Sequence, residues 1–147
     1  MFTKREASLL LLLLAFIALA TLLAFRLSHE VPAAIIKGRS MLPLLREGDL
    51  VFVVRCDPSD IRIGDIVIYR SKFENKLIIH RIIDIRYENN VYYFVTKGDN
   101  NFSPDISEFD FGLGVNQNRI VGKVLSIGNY VVKIPYIGHL ALMLRGG

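Results

Sequence analysis

The apolar residues of this 147-residue chain fall first in one unbroken run and then in short clusters separated by polar turns. From Ala7 to Phe25 no charged residue interrupts the sequence, and the first to do so is Arg26. As a helix such a run spans roughly 25–30 Å, about the thickness of a hydrocarbon core. A cleaved secretory signal has a shorter apolar region, about 7–15 residues, ending in a small-residue cleavage site. Here the run is longer and Phe25-Arg26-Leu27 follows without an Ala-x-Ala, so one N-terminal transmembrane helix over residues 7–26 is expected. Lys4 and Arg5 ahead of it place residues 1–6 in the cytoplasm and residues 27–147 outside it.

Beyond the connector Leu27–Pro32 the period changes. Residues 33–36, 49–54, 65–69, 77–87, 91–95 and 119–127 are rich in β-branched and aromatic side chains and, being short, predict strands. Cys56-Asp57-Pro58-Ser59-Asp60 and Gly64 carry turn chemistry, and Glu88-Asn89-Asn90 predicts a hairpin turn. Residues 98–118 form a long polar loop in which Phe109 and Phe111 could anchor. The apolar stretch His139–Leu144 is too short to cross a bilayer. The expected domain is mainly β, a curled sheet or open barrel.

Composition narrows the partners. The net charge is +4, but Lys and Arg are scattered, with no basic helix or aromatic–basic alternation, which argues against nucleic acid and for attraction to an anionic membrane surface. Cys56 is the only cysteine, so no intrachain disulfide forms. His29, His80 and His139 lack ligand spacing, so neither a metal site nor a cofactor is expected.

The chemistry concentrates in Gly38-Arg39-Ser40-Met41-Leu42-Pro43, where glycine frees the backbone before a serine and proline forbids helix after it. A serine hydroxyl needs a neighbouring base to become a nucleophile. His80 suits that role, since imidazole is mostly neutral at pH 7, and strand alternation puts it on one face with Ile78 and Ile82. Asp99, Asp105 and Asp110 are candidates to hold its other ring nitrogen, and spacing does not choose among them. Lys76, in a turn after Glu74-Asn75, ranks below His80 as a base because it would stay charged there.

Taken in order, Gly38-Arg39-Ser40-Met41-Leu42-Pro43, Glu47-Gly48-Asp49-Leu50-Val51, Gly64-Asp65-Ile66-Val67, Ile79-His80-Arg81-Ile82, Thr96-Lys97-Gly98-Asp99-Asn100-Asn101 and Ile134-Pro135-Tyr136-Ile137-Gly138 resemble the blocks of type I signal peptidases. Histidine in the Ile-His-Arg block is similar to the archaeal and endoplasmic-reticulum branch, whereas bacterial members carry lysine there. The resemblance implies a curled sheet of the signal-peptidase type, with Ser40 as nucleophile, His80 as general base, Asp105 as the aligned acid and Asp99 as a second, structural or orienting carboxylate. Many bacterial members have an oxyanion-stabilising serine two positions before the nucleophile. This chain has Gly38 there, which leaves the backbone N–H of Ser40 as the expected donor.

By the same resemblance the chain is expected to be a membrane-anchored serine endopeptidase acting on the signal peptides of secretory preproteins. It would sit in the cell membrane, or the endoplasmic-reticulum membrane of a eukaryote, with accessory subunits or the secretion translocon as partners beside the lipid bilayer. The peptide would bind extended along a strand, with small pockets for its side chains and Met41 and Pro43 beside it. Two alternatives stand against this: a related protease processing pilin-like or other membrane proteins, and a tethered β domain that binds peptides or partners without chemistry.

Overall fold

The computed structural model describes residues 4–27 and 33–136, with side chains over residues 8–21 of the first segment. The chain divides into two compact units, Met1–Glu30 and Val31–Gly147.

In the first unit, helix α1 (Lys4–Leu27) is built from leucine and alanine with neither glycine nor proline, a composition of high helix propensity. Leu9–Leu14, Phe16, Ile17 and Leu19 are all exposed. Thr21 hides its hydroxyl by donating back to the carbonyls of Ile17 and Ala18, at 3.0 and 2.8 Å. Among the described residues, no helix is long and apolar enough to cross a membrane. The expected transmembrane segment over residues 7–26 is therefore not seen in them. Side chains 8–21 extend only about 21 Å as helix, less than the roughly 30 Å of a hydrocarbon core.

The second unit is an antiparallel sheet. Its strands are β1 (Ala33–Ile35), β2 (Leu50–Val54), β3 (Ile66–Arg70), β4 (Leu77–Glu88), β5 (Val91–Lys97), β6 (Val115–Asn116), β7 (Ile120–Val124), β8 (Ser126–Ile127), β9 (Tyr130–Val131) and β10 (Lys133–Ile134). The spatial order is β1-β2-β7-β3-β4-β5-β6, with β10 also on β2 and β8-β9 forming a separate ribbon. This path is open, a curled sheet rather than a closed barrel. It turns at β2, whose residues 50–52 pair with β1 while Val53 and Val54 pair with β7.

Strand β3 is the axis of the core, and its run Ile66-Val67-Ile68-Tyr69 is buried on both faces, as an unbroken apolar strand should be. Ile66 and Ile68 pack with Ile36, Met41, Leu45, Val51 and Val124. Val67 sits in the second cluster with Tyr69, Ile61, Ile82, Phe94 and Val115. Each such fully buried side chain contributes about 1.5–3 kcal/mol. The hairpin β4–β5 turns at Asn89 and Asn90, both at positive φ (51° and 64°), the conformation a two-residue type I′ turn requires.

Two sequence expectations are corrected. The strand expected over residues 119–127 is two, because β7 ends at Val124 and Ser126–Ile127 pairs instead with β9. The long loop over residues 98–118 holds a 3-10 turn at Ile106–Glu108, strand β6, and the start of a second 3-10 turn, Gln117–Arg119. Arg119 organises it, donating to the Arg70 and Glu108 carbonyls and to the carboxylates of Glu108 and Asp110. His29 and residues 139–144 lie outside the described residues.

Candidate active site

Strand β4 is longer than either neighbour. Leu77–Arg81 pairs with β3, while pairing with β5 begins only at Arg81. Leu77–His80 therefore presents an edge that β5 does not cover. Beside it lies a groove of about 900 Å³, lined by Ala33–Lys37, Ser40, Met41, Leu50 and Lys76–His80. Its lining is mostly aliphatic, and Ser40 and His80 stand at it together.

Ser40 is held by what surrounds it. Gly38, at φ +83°, turns the chain before it, and the Leu42–Pro43 peptide after it is cis. Met41 and Leu45 anchor the turn in the core, and Leu45 N–H donates to the Met41 carbonyl at 2.9 Å. From the loop after β5, Asn100 N–H donates to the Ser40 carbonyl at 2.8 Å, and the Asn100 side-chain amide donates to the Arg39 carbonyl at 3.2 Å. Further along, Asp49 is buried and accepts from the Arg46 N–H at 3.0 Å and from Lys133 Nζ at 2.6 Å. Burial pushes the Asp49 carboxyl up, but the Lys133 ammonium and the Arg46 N–H outweigh it and hold it below its usual range.

His80 is buried opposite Val67, on the face of β4 shared with Ile78 and Ile82. Its Nε2 lies 3.0 Å from Ser40 Oγ and its Nδ1 2.6 Å from Asp105 Oδ2. The same Asp105 oxygen accepts from Thr96 Oγ1 at 2.6 Å and from the Tyr69 hydroxyl at 2.9 Å. Asp105 N–H donates to the Thr96 carbonyl at 2.9 Å, so Thr96 grips the residue by both main chain and side chain. An ionised carboxylate only accepts, so Nδ1 carries the imidazole proton and the Nε2 lone pair faces the serine hydroxyl. Burial, reinforced by the Asp105 charge, raises the Tyr69 phenol above its usual range, which keeps it a donor.

The three candidate aspartates thus separate. Asp105 meets the imidazole. Asp99 forms a two-pronged pair with Arg81, 2.7 Å to both Nε and Nη2, and Arg81 also donates to the Gly64 carbonyl at 2.8 Å. The pair ties β4 to the loop after β5, and the bond to Gly64 ties it to the turn before β3. Asp110 accepts from Asn116 N–H and Arg119, both at 2.9 Å, inside the loop. Lys76 pairs with Glu74 at 2.9 Å on the surface. Met41 lines the groove, whereas Pro43 is exposed and does not. Among the described residues no cluster of His, Cys, Asp and Glu could hold a metal. Tyr69 and Thr96 carried no chemical signal in the sequence, where a tyrosine and a threonine in strands read only as sheet formers.

Chemically, the arrangement is a hydroxyl whose proton has a path to an imidazole, which a partly buried carboxylate holds from behind. The family described as Peptidase S24-like matches residues 15–125. The chain is 29% identical over 130 residues to the signal peptidase complex catalytic subunit SEC11 of Clavispora lusitaniae, covering 88% of this chain and 75% of that protein. It is 28% identical over 130 residues to SEC11 of Candida albicans, at the same coverage. It is also 28% identical over 141 residues to sec11 of Schizosaccharomyces pombe, covering 83% of this chain and 71% of the relative.

Proposed function

Because this chain belongs to the peptidase S24-like family, we propose that it is a serine endopeptidase that removes signal peptides from exported preproteins, with Ser40 as nucleophile, His80 as general base and Asp105 as the carboxylate behind it. The observation that carries the assignment is the unbroken relay from Ser40 Oγ to His80 Nε2 at 3.0 Å and from His80 Nδ1 to Asp105 at 2.6 Å. The similarity to signal peptidase catalytic subunits supplies the substrate class.

In the first half-reaction Ser40 Oγ attacks the scissile carbonyl carbon as His80 Nε2 takes its proton. Asp105 stabilises the resulting imidazolium. The Ser40 N–H, which donates to no described group, is available to the oxyanion. The C–N bond then breaks as the imidazolium protonates the leaving amine, freeing the mature chain and leaving the signal peptide as an ester on Ser40. In the second half-reaction His80 deprotonates a water, which attacks that ester, and returning the proton to Oγ restores the enzyme.

The uncovered edge of Leu77–His80 and the stretch Ala33–Lys37, which begins with β1, border the same groove. An extended peptide lying between them would gain main-chain hydrogen bonds, and the aliphatic walls favour small apolar side chains. Met41 belongs to those walls. The exposed leucines of α1 support a membrane anchor for the enzyme. With Lys4 and Arg5 held on the cytoplasmic side, residues 27–147 would be a catalytic domain outside the cytoplasm, in the membrane that the secretory substrates cross. Accessory subunits fit the naming of the SEC11 relatives as part of a complex.

The test is cleavage of a model preprotein by the full chain reconstituted in vesicles. Wild type should release the mature fragment, and S40A and H80A should each be inactive while circular dichroism shows the β fold retained. Full activity in either variant would overturn the assignment. Alkaline extraction that frees the chain from the vesicles would remove the anchor.

A further inference from the structure

We propose that Thr96 and Tyr69 are positioning residues that aim Asp105 at His80 and set how strongly it holds the imidazolium. The proposal rests on Ser40, His80 and Asp105 being the reacting set. Its basis is that one carboxylate oxygen, Asp105 Oδ2, receives all three side-chain bonds, at 2.6 Å from His80, 2.6 Å from Thr96 and 2.9 Å from Tyr69.

Strand register brings these groups together. His80 is on β4, Tyr69 on its neighbour β3 and Thr96 on its other neighbour β5. Tyr69 and Thr96 are both fully buried, so neither hydroxyl can exchange Asp105 for bulk water. Asp105 itself comes from a loop, where a carboxylate would otherwise turn about its side-chain bonds. Thr96 fixes its main chain and Oδ2 at once, and Tyr69 closes the remaining approach. The phenol stays protonated because it is buried, so it can only donate to a carboxylate.

Three donors sharing one oxygen also compete. Each bond from Thr96 or Tyr69 draws off charge that would otherwise stabilise the imidazolium. Removing one therefore has two separable effects: the carboxylate is aimed less well, and the charge left on it pulls harder on His80. The other ionisable groups around the set are Glu108 and Arg119, tied to each other on the loop side with Arg119 over the Tyr69 ring, and Lys37 and Lys76 along the groove. Arg81, next to His80 on β4, is committed to Asp99. Substituting Thr96 or Tyr69 leaves all of these in place.

The experiment measures kcat and KM against pH for the full chain on a signal-peptide substrate, with a proton NMR measurement of the His80 Nδ1–H resonance in the absence of substrate. In T96V, kcat should fall about 10–100-fold with KM little changed. The acidic limb of the pH–rate curve should move up by about half a pH unit, and the resonance should shift. T96S restores the hydroxyl and should recover all three. Y69F should move the limb the same way by less. T96V or Y69F variants that fold and keep the wild-type limb and resonance overturn the proposal. If T96V does not fold, Y69F and T96S decide it by the same readouts. A wild-type protein with neither Ser40-dependent cleavage nor a hydrogen-bonded Nδ1–H would instead overturn the reacting set itself.

Discussion

Substituting Gly98 with alanine tests how Ser40, the proposed nucleophile, is held. A Cβ at this position would stand 2.7 Å from the Ser40 carbonyl oxygen and 2.8 Å from Asn101 Nδ2. The Asn101 amide can rotate aside, but the Ser40 oxygen is backbone. Gly98 is not among the glycines at positive φ, so alanine meets no conformational penalty and the contact alone decides the outcome. The two backbones must part by about 0.7 Å to reach ordinary contact. That stretches the Asn100 N–H bond to Ser40, now 2.8 Å, to the edge of hydrogen bonding. Overpacking costs about 1–3 kcal/mol and the weakened bond about 1 kcal/mol. For a domain of this size that lowers the melting temperature by roughly 8–16 °C. A displacement of the same order at Oγ breaks its reach to His80 Nε2, and misplacement by about 1 Å can cost 10²-fold in rate, so kcat/KM should fall about 10–100-fold. Scanning calorimetry and steady-state cleavage of a signal-peptide substrate read the two effects. A G98A protein with wild-type melting and wild-type kcat/KM would show that the close approach does not position Ser40.

The two aspartates should respond differently. D105N removes the charge behind His80 and should lower kcat by about 10⁴-fold, whereas D99N breaks a partly exposed pair with Arg81 and should cost about 1 kcal/mol of stability and under 10-fold in rate; equal losses by steady-state kinetics would contradict the geometry. R119A strands the buried Glu108 carboxylate and should destabilise the domain by about 3–5 kcal/mol in urea titration, with R119K recovering only part because lysine lacks the fork. Stability should also depend on acid. Burial pushes Asp49 and Glu108 up, but Lys133 with the Arg46 N–H, and Ser71 with the Lys72 N–H and Arg119, outweigh it and hold both carboxyls below their ordinary range. Their contribution is complete above the unfolded values of about 4 and is lost as pH falls through the depressed folded values. Melting temperatures followed from pH 7 down to pH 2 should drop in that lower window, and K133M should shrink the drop.

Much of the fold was legible because local physics repeats along a strand. The β-branched and aromatic run Ile66–Tyr69 reads as a strand, though only the structure shows both its faces covered, and Glu88-Asn89-Asn90 between apolar runs reads as a hairpin turn. The alternation around His80 likewise set its face. The loop was not legible in this way, since its order comes from Arg119 binding groups at Arg70, Glu108 and Asp110 rather than from any period.

The order of blocks along the chain was enough to single out Ser40 and His80 and, by resemblance, to prefer Asp105. Spacing alone left Asp99, Asp105 and Asp110 level, since all three sit in one polar stretch and any of them could turn toward an imidazole. Folding separated them. Pairing of β3, β4 and β5 put Tyr69, His80 and Thr96 around one point, and the main-chain bond to Thr96 delivered Asp105 to it, while Arg81, pointing to the other face of β4, claimed Asp99. A residue's type limits what it can do and is set by the sequence. Which partner it meets depends on distances across strands, which exist only once the sheet has formed.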